Sequence, residues 1–258
     1  MFIEERHQAI IDTINNQGKI TIADIVNNYD ISEESARRDL RQLEQKGFCQ
    51  RTHGGAIALK QVSVKPMSNR DYAAMPIYNN SKQISKKAAE IIQPNDIIYL
   101  TGGSFGYIML SCLPCDFRYT VVVNNVDIAK ELRAFDNIDV YIAGGKMRQS
   151  GSLVDSLANE FVSKLHFDSC FITGAGVTHD FGLSNGSDET ATFQRSVIKN
   201  SRKKYLLMPS NKVGVNSFIK VCDVDEFDLL ITDWDCAEEH ISAIEDVGVK
   251  VIIVEDLI

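Results

Sequence analysis

Three arginines, Arg37, Arg38 and Arg41, stand close together in the stretch SARRDLRQLEQKGFCQRTHGGA, residues 35–56. An arginine fork can bond guanine O6 and N7 or clamp a phosphate, so this cluster has the chemistry of a DNA contact. The chain as a whole has a formal net charge of -8, which repels a polyanion. Attraction to DNA must therefore come from the local placement of the arginines.

The pattern of apolar residues and caps predicts how these arginines are positioned. Three helices are expected: 2–16 ended by Gly18, 22–28 capped by Thr21, and a third capped by Ser32 that runs to Lys46 before Gly47. On the third helix Ala36, Leu40 and Leu43 form one apolar stripe, and the arginines fall about 140° away. Two helices joined by a tight turn predict a helix-turn-helix with the arginines facing outward.

After Gly47, apolar and polar residues alternate loosely on both sides of a Gly-Gly pair. This pattern predicts a small hairpin wing with Arg51 and His53 near the DNA backbone. A second interpretation stays open at this point. The arginines could be a solvated helix face that Glu34, Asp39 and Glu44 partly neutralise.

The stretch ISEESARRDLRQLEQKGFCQRTHGGA resembles the DNA-binding motif of the DeoR family of bacterial transcription regulators. The likeness lies in Arg-Arg-Asp-Leu, in the Leu-Glu spacing and in the Arg-x-His-Gly-Gly-Ala ending. It implies that this part of the chain binds double-stranded operator DNA. The residues expected at the DNA are Ser32, Ser35, Arg37, Arg38, Arg41, Arg51 and His53.

The length of 258 residues favours two domains. We expect a winged helix-turn-helix at 1–57, a linker at 58–75 and an effector-sensing α/β domain at 76–258. Six scattered cysteines and the lack of an apolar leader favour the reducing cytoplasm, and no apolar run is long enough to span a membrane.

Beyond the linker, apolar strands such as DIIYL, YTVVVN and KKYLLMP alternate with helical patterns, which predicts a mostly parallel sheet covered on both faces. Ligands of such sheets sit beyond the carboxyl ends of the strands. There Gly102 and Gly103 permit close backbone approach and Ser104 adds a hydroxyl, an arrangement suited to phosphate, although a packed turn has the same sequence. No nucleotide-binding motif is present, and we expect no cofactor.

The second domain resembles the DeoR-family sensor domain through DIIYLTGGS, TVVVNN, IAGGKMR, FDSCFITGAGV and SNKVG, among other segments. This implies a fold similar to ribose-5-phosphate isomerase and the coenzyme A transferases, and a phosphorylated sugar as effector. The implied contacts are Thr101, Gly102, Gly103, Ser104, Asn124, Gly174, Glu189 and Lys212. Thr101 and Phe105 depart from the usual Asp-Ser-Gly-Thr-Thr loop, by removing a carboxylate and a phosphate donor.

The main prediction is a repressor of a sugar-metabolism operon that acts as a homodimer or higher homo-oligomer, because one helix-turn-helix makes few DNA contacts. An enzyme is the alternative, with Asp168, Glu189 and Lys212 as base, acid and electrostatic stabiliser of a sugar-phosphate isomerisation. The spacing of Cys112 and Cys115 would also suit a redox or zinc site, but their place at a helix end and the lack of further ligands argue against both.

Overall fold

The computed structural model describes residues 3–45, 49–52, 54–58 and 78–256. The chain divides into two compact units, residues 1–61 and 62–258, here called the N-terminal and C-terminal units. Of the sequence predictions, the end of the third helix at Lys46, the contact residue His53 and the linker beyond Ala58 lie outside the described residues.

The N-terminal unit is built from short helices and a small sheet. Its described elements are α1 (Ile3–Gln17), β1 (Lys19–Thr21), α2 (Ile22–Tyr29), α3 (Glu33–Gln45), β2 (Cys49–Thr52) and β3 (Gly55–Ala58). Strands β2 and β3 form an antiparallel hairpin, and β1 pairs with the other side of β3. The expected helix-turn-helix with a hairpin wing is therefore present.

The helix boundaries of this unit follow from its caps. Gly18 has a φ of 74°, a left-handed conformation that ends α1 where the sequence predicted. The Thr21 side chain accepts a hydrogen bond from Asp24 N, and the Asp24 carboxylate accepts one from Thr21 N, so α2 begins with a capping box. Ile10, Ile14, Ile25, Leu40 and Leu43 fill the core between the three helices.

The C-terminal unit is organised around a parallel sheet. Its strands, in spatial order, are β13 (Lys250–Val254), β12 (Leu229–Asp233), β10 (Ser201–Leu207), β7 (Phe167–Ile172), β4 (Ile97–Leu100), β5 (Tyr119–Val123) and β6 (Ile138–Ile142). Every pairing in this sheet is parallel. All the carboxyl ends therefore meet at one edge, as the alternating pattern predicted.

Helices cover both faces of this sheet. One face packs against α4 (Tyr78–Ala89), α5 (Ser104–Met109) and α6 (Val126–Leu132), and the other against α7 (Ser156–Ser163), α8 (Asp188–Lys199) and α9 (Glu238–Asp246). The α/β fold class is confirmed. Among the described residues, no helix has the length and apolar character needed to cross a membrane.

A second, smaller sheet was not predicted from the sequence. It consists of β8 (Gly176–Thr178), β9 (Gly182–Asn185) and β11 (Ile219–Cys222), all antiparallel. All three strands are only three or four residues long, and β8 and β9 begin with glycine, so they carry little strand signal.

Candidate functional site

The exposed face of α3 is the first candidate site. Ala36, Leu40 and Leu43 are buried in the core of the N-terminal unit, whereas Arg37 and Arg38 are exposed. Arg41 is exposed on the same side of the helix. The predicted separation of the apolar stripe from the arginines is therefore present.

The neighbouring acidic residues neutralise only part of this arginine cluster. Arg37 pairs with Glu33 at 2.6 Å, one turn earlier on the same exposed helix. Among the described residues, no acidic side chain forms an ion pair with Arg38 or Arg41. Two guanidinium groups on this face therefore remain available to an anionic partner.

Asp39 lies inside the unit and not on the outer face, which corrects the alternative that it neutralises the arginines. Its side chain is 2% exposed and lies 2.8 Å from Arg6 Nε and 3.2 Å from His7 Nε2. Both partners belong to α1. Asp39 therefore attaches α3 to α1, and this interaction was not visible in the sequence pattern.

The start of α3 and the hairpin hold the other expected DNA contacts. Ser32 Oγ accepts a hydrogen bond from Ser35 N at 3.2 Å, which caps α3 as predicted. Arg51 on β2 is exposed, and its backbone N–H donates to Glu44 at 2.8 Å. Its guanidinium is 3.7 Å from the same carboxylate, a loose and solvent-exposed pair.

The second candidate site lies at the carboxyl edge of the parallel sheet. Strand β4 lies between β5 and β7, and the chain runs outward from β4 to β6 on one side before it returns to β7 on the other. Neighbouring loops diverge at such a reversal and leave a crevice for a ligand. The loop 101–104 after β4 and Gly174 after β7 both lie at this reversal.

Close backbone packing shapes the loop 101–104. Thr101 is buried, and its N–H donates to Phe171 O at 3.1 Å. A Cβ on Gly102 would collide with the Asn124 side chain, so this position requires glycine. Gly103 is the N-cap of α5, and no side chain caps that helix. The loop thus leads directly into a helix start, as a phosphate-binding arrangement requires.

Two asparagines after β5 support this loop from one side. Asn124 Oδ1 accepts from Tyr99 Oη at 2.9 Å and its Nδ2 donates to Leu153 O at 3.1 Å, so its amide bonds within the protein. Asn125 Nδ2 donates to Gly102 O at 3.2 Å, and its Oδ1 caps α6. Sequence reasoning selected Asn124 and missed Asn125, although an asparagine between a strand and a helix is a capping signal.

Lys212 lies on the other side of this reversal. It follows β10, the neighbour of β7, and its Nζ donates to Gly174 O at 3.2 Å. Burial lowers the pKa of the Lys212 ammonium below its ordinary value, because the charged form loses hydration. No acidic side chain of the described residues forms an ion pair with it. A half-buried cation without an acidic partner is suited to an anionic ligand.

Glu189 is at the same edge but is already paired. It forms an ion pair with Arg148, which also donates to Ser187 Oγ and Thr190 Oγ1 at 3.2 Å each. Arg148 belongs to the segment IAGGKMR after β6, and sequence reasoning assigned it no role. The structure thus brings an unforeseen guanidinium to the first turn of α8.

Asp168 lies at the opposite edge from the other two proposed catalytic residues. It is near the start of β7, where its carboxylate accepts from Ile97 N at 2.9 Å. Lys212 and Glu189 follow the carboxyl ends of strands, about 15 Å farther along the sheet at 3.3 Å per residue. The three residues do not form one catalytic group.

A surface cleft lined by Lys203, Tyr205 and Asp228 lies at the amino ends of the strands, the same edge of the sheet as Asp168.

The cysteine pair lies after the end of α5. Cys112 ends a short 3-10 turn after α5, and Cys115 is exposed. In the part of the chain that the structure describes, no three His, Cys, Asp or Glu side chains are grouped to hold a metal ion.

Comparison with protein families matches both units. Residues 78–234 match the DeoR C terminal sensor domain, and residues 6–62 match the DeoR-like helix-turn-helix domain. The chain belongs to the DeoR family. The family of transcription regulators suggested by the sequence motifs is thereby confirmed.

Several DeoR-family relatives are similar over nearly their whole length. The HTH-type transcriptional regulator YulB of Bacillus subtilis is 29% identical, with 97% of this chain and 96% of that protein covered. GolR of Listeria innocua is 29% identical, with coverage of 99% and 100%. The lactose phosphotransferase system repressor of Lactococcus lactis is 30% identical, with coverage of 92% and 94%.

The matches to solved structures are weaker than the matches to these relatives. Ribose 5-phosphate isomerase A of Methanocaldococcus jannaschii has a TM-score of 0.38 at 14% identity, and the match covers 56% of this chain and 55% of that one. eIF2B delta of Chaetomium thermophilum has a TM-score of 0.41 at 15% identity, with coverage of 81% and 64%. At these scores the overlap carries no argument about the site.

Proposed function

We propose that this DeoR-family regulator represses an operon of sugar metabolism and is modulated at its operator by a phosphorylated sugar. The DNA-binding domain is assigned to residues 1–57 and the sensing domain to residues 76–258. The observation that carries this proposal is the face of α3, where Arg38 and Arg41 are exposed and form no ion pair with any acidic side chain of the described residues. Several relatives are named lactose phosphotransferase system repressors, which supports sugar metabolism as the regulated process.

At the operator, α3 lies in the major groove with Arg38 and Arg41 at base edges or phosphates. Arg37 shares its charge with Glu33 and contributes less. Ser32 and Ser35 at the helix start, Arg51 of the hairpin, and His53 contact the DNA backbone. The net charge of -8 opposes this binding, so the local arginines must supply the attraction.

In the sensing domain, the loop 102–104 and Lys212 hold the phosphate group. Backbone N–H groups at the start of α5 donate to the phosphate oxygens, and the Lys212 ammonium supplies the charge. The phosphate replaces Gly174 O as the partner of Lys212. Thr101 and Asn124 shape the loop from within, and Glu189 accepts from sugar hydroxyls while Arg148 holds it in place.

The protein acts in the cytoplasm as a homodimer or larger homo-oligomer, because a single helix-turn-helix offers too few contacts for strong specificity. It has no catalytic role in this proposal. The separation of Asp168 from Glu189 and Lys212 along the sheet supports a sensor over a sugar-phosphate isomerase.

Binding of the full-length protein to fragments of its own genome, with and without sugar phosphates, tests this proposal. We expect a few fragments with repeated half-sites to be enriched, and a sugar phosphate to release them. Equal binding to all fragments would contradict operator recognition. Selective binding that no sugar phosphate alters would contradict the effector assignment alone, and conversion of a sugar phosphate by the protein would favour the enzyme.

A further inference from the structure

We infer that Asn80, Asp233 and Ser210 form a hydrogen-bonded relay that connects the effector site to the start of α4. The inference rests on the proposed function, because it assigns a route by which that site regulates DNA binding. Its physical basis is one buried carboxylate that bonds to both ends of the route.

Asp233 is the centre of this relay. It ends β12, and its side chain is fully buried. One carboxylate oxygen accepts from Asn80 Nδ2 at 2.9 Å and from Asp235 N at 3.2 Å, and the other accepts from Ser210 N at 2.8 Å. A buried carboxylate is costly unless all its partners stay in place, so displacement of one partner perturbs the others.

Ser210 connects the carboxylate to the proposed phosphate ligand. It opens a 3-10 turn in which Lys212 N donates to Pro209 O at 2.8 Å and Val213 N donates to Ser210 O at 3.1 Å. Within so short a turn, a shift of the Lys212 backbone carries Ser210 with it. The Lys212 ammonium now donates to Gly174 O, and an arriving phosphate competes for that ammonium.

Asn80 connects the carboxylate to the first turn of α4. The residue is 8% exposed, and its Nδ2 also donates to Asp235 at 3.0 Å. Helix α4 begins at Tyr78, directly after the segment that joins the two units in sequence. A change at Asp233 therefore reaches the residues that follow this joining segment in the sequence.

The relay makes Asn80 a residue that transmits the signal without touching either ligand. Coupling between two sites requires an element with two arrangements that both sites bias. The 209–213 turn is that element: Lys212 bonds to Gly174 in the first arrangement and to phosphate in the second. Asn80 contacts neither the proposed phosphate ligand nor the DNA, so its loss should remove the communication between the two sites while each site still binds its own ligand.

Hydrogen exchange of the full-length protein tests the relay without any ligand. Lys212→Met removes the ammonium that fixes the turn. We expect the rate of amide exchange over residues 78–84 to rise at least about threefold. This factor corresponds to the lower range of interaction energies between contacting residues. In an Asn80→Ala background the same Lys212→Met change should have little further effect.

Two control variants distinguish the relay from a general destabilisation of the C-terminal unit. Lys199→Met removes an exposed lysine at the end of α8, and it should not alter exchange at α4. Asn137→Ala removes a part-buried amide that donates to Pro114 O and Phe117 O, far from Asp233 in the sheet order. In that background, Lys212→Met should still raise exchange at α4. An unchanged α4 in Lys212→Met, or an equal rise in the Asn80→Ala background, would overturn the relay.

Ligand probes then distinguish the relay from the proposed function. Inorganic phosphate and glucose 6-phosphate should slow exchange in residues 101–104 and 209–213 of wild type and of Asn80→Ala alike, and should alter residues 78–84 only in wild type. If neither probe alters the two loops, the phosphate assignment fails, and the Lys212→Met comparison still decides the relay. Protected loops with an unresponsive α4 in wild type would overturn the relay and leave the proposed function standing.

Discussion

The Asp39 carboxylate lies 2.8 Å from Arg6 Nε, and both side chains are almost completely buried between α1 and α3. Asp39 directly follows Arg38, and a step of about 100° per helical residue separates the two side chains. The buried pair therefore fixes the rotation of α3 about its own axis. With Asp39 held inward, Arg38 and Arg41 must face away from the core.

Asp39→Asn should strongly destabilise the N-terminal unit. The substitution keeps the shape but leaves the Arg6 guanidinium buried without an opposite charge, which typically costs about 3–5 kcal/mol. Glu33→Gln is the matched control, because it breaks the exposed Arg37 pair, which is worth only about 0.3–0.5 kcal/mol. Hydrogen exchange of α1 and α3 in the full chain measures both losses, and comparable losses would show that Asp39 has no special structural role.

Arg38→Ala and Arg41→Ala should each weaken operator binding while the fold stays intact. A base-reading contact is worth roughly 1–3 kcal/mol, and loss of a phosphate contact lowers the dependence of affinity on salt concentration. Arg202→Ala, an exposed arginine of the C-terminal unit, is the control. Fluorescence anisotropy with a labelled operator at several salt concentrations gives both quantities. The docking of α3 is wrong if both variants bind like wild type.

The helices and the central strands could be predicted because each has a strong local signal. Caps such as Thr21 and Gly18 fix helix ends through bonds and backbone angles that only nearby residues determine. Apolar β-branched runs predict buried parallel strands in the same way. The short strands β8, β9 and β11 have no such signal, since their pairing depends on tertiary contacts.

The geometry of the candidate sites could be predicted only in part from the local sequence pattern. Helical spacing predicted that Leu40 is inside, but Asp39 beside it is also inside because Arg6 and His7 are there to receive it. Asp168 lies on the apolar strand β7, which leads to Gly174 of the site, and the sheet places it at the opposite end of that strand. Contacts such as Arg148 with Glu189 join distant segments and cannot be derived from spacing.

Lys212→Ala should weaken phosphate binding. The lysine is expected to supply charge to one phosphate, and charge-assisted bonds are roughly twice as strong as neutral ones. Calorimetric titration of sugar phosphates into wild type and the variant, with and without operator DNA, measures the change. Ligand and DNA should lower each other's affinity by the same factor, typically 5–150-fold. Equal ligand binding by both proteins would show that Lys212 has a different role.

The stability contributed by Lys212 should depend on pH in a defined direction. Burial places the pKa of the folded lysine below the ordinary value of 10.5. Below the folded pKa the buried ammonium is present and its desolvation penalty is complete. As pH rises from the folded pKa to 10.5, the folded protein loses this proton before the unfolded chain does, so the free energy of unfolding rises by at most about 1.4 kcal/mol per pH unit. Lys212→Met lacks this contribution, so the free energy of unfolding of wild type should rise relative to that of Lys212→Met across that window. Urea unfolding of both proteins from pH 7 upward, with Lys199→Met as the exposed control, measures the difference, and a difference that stays constant with pH would contradict a lowered pKa.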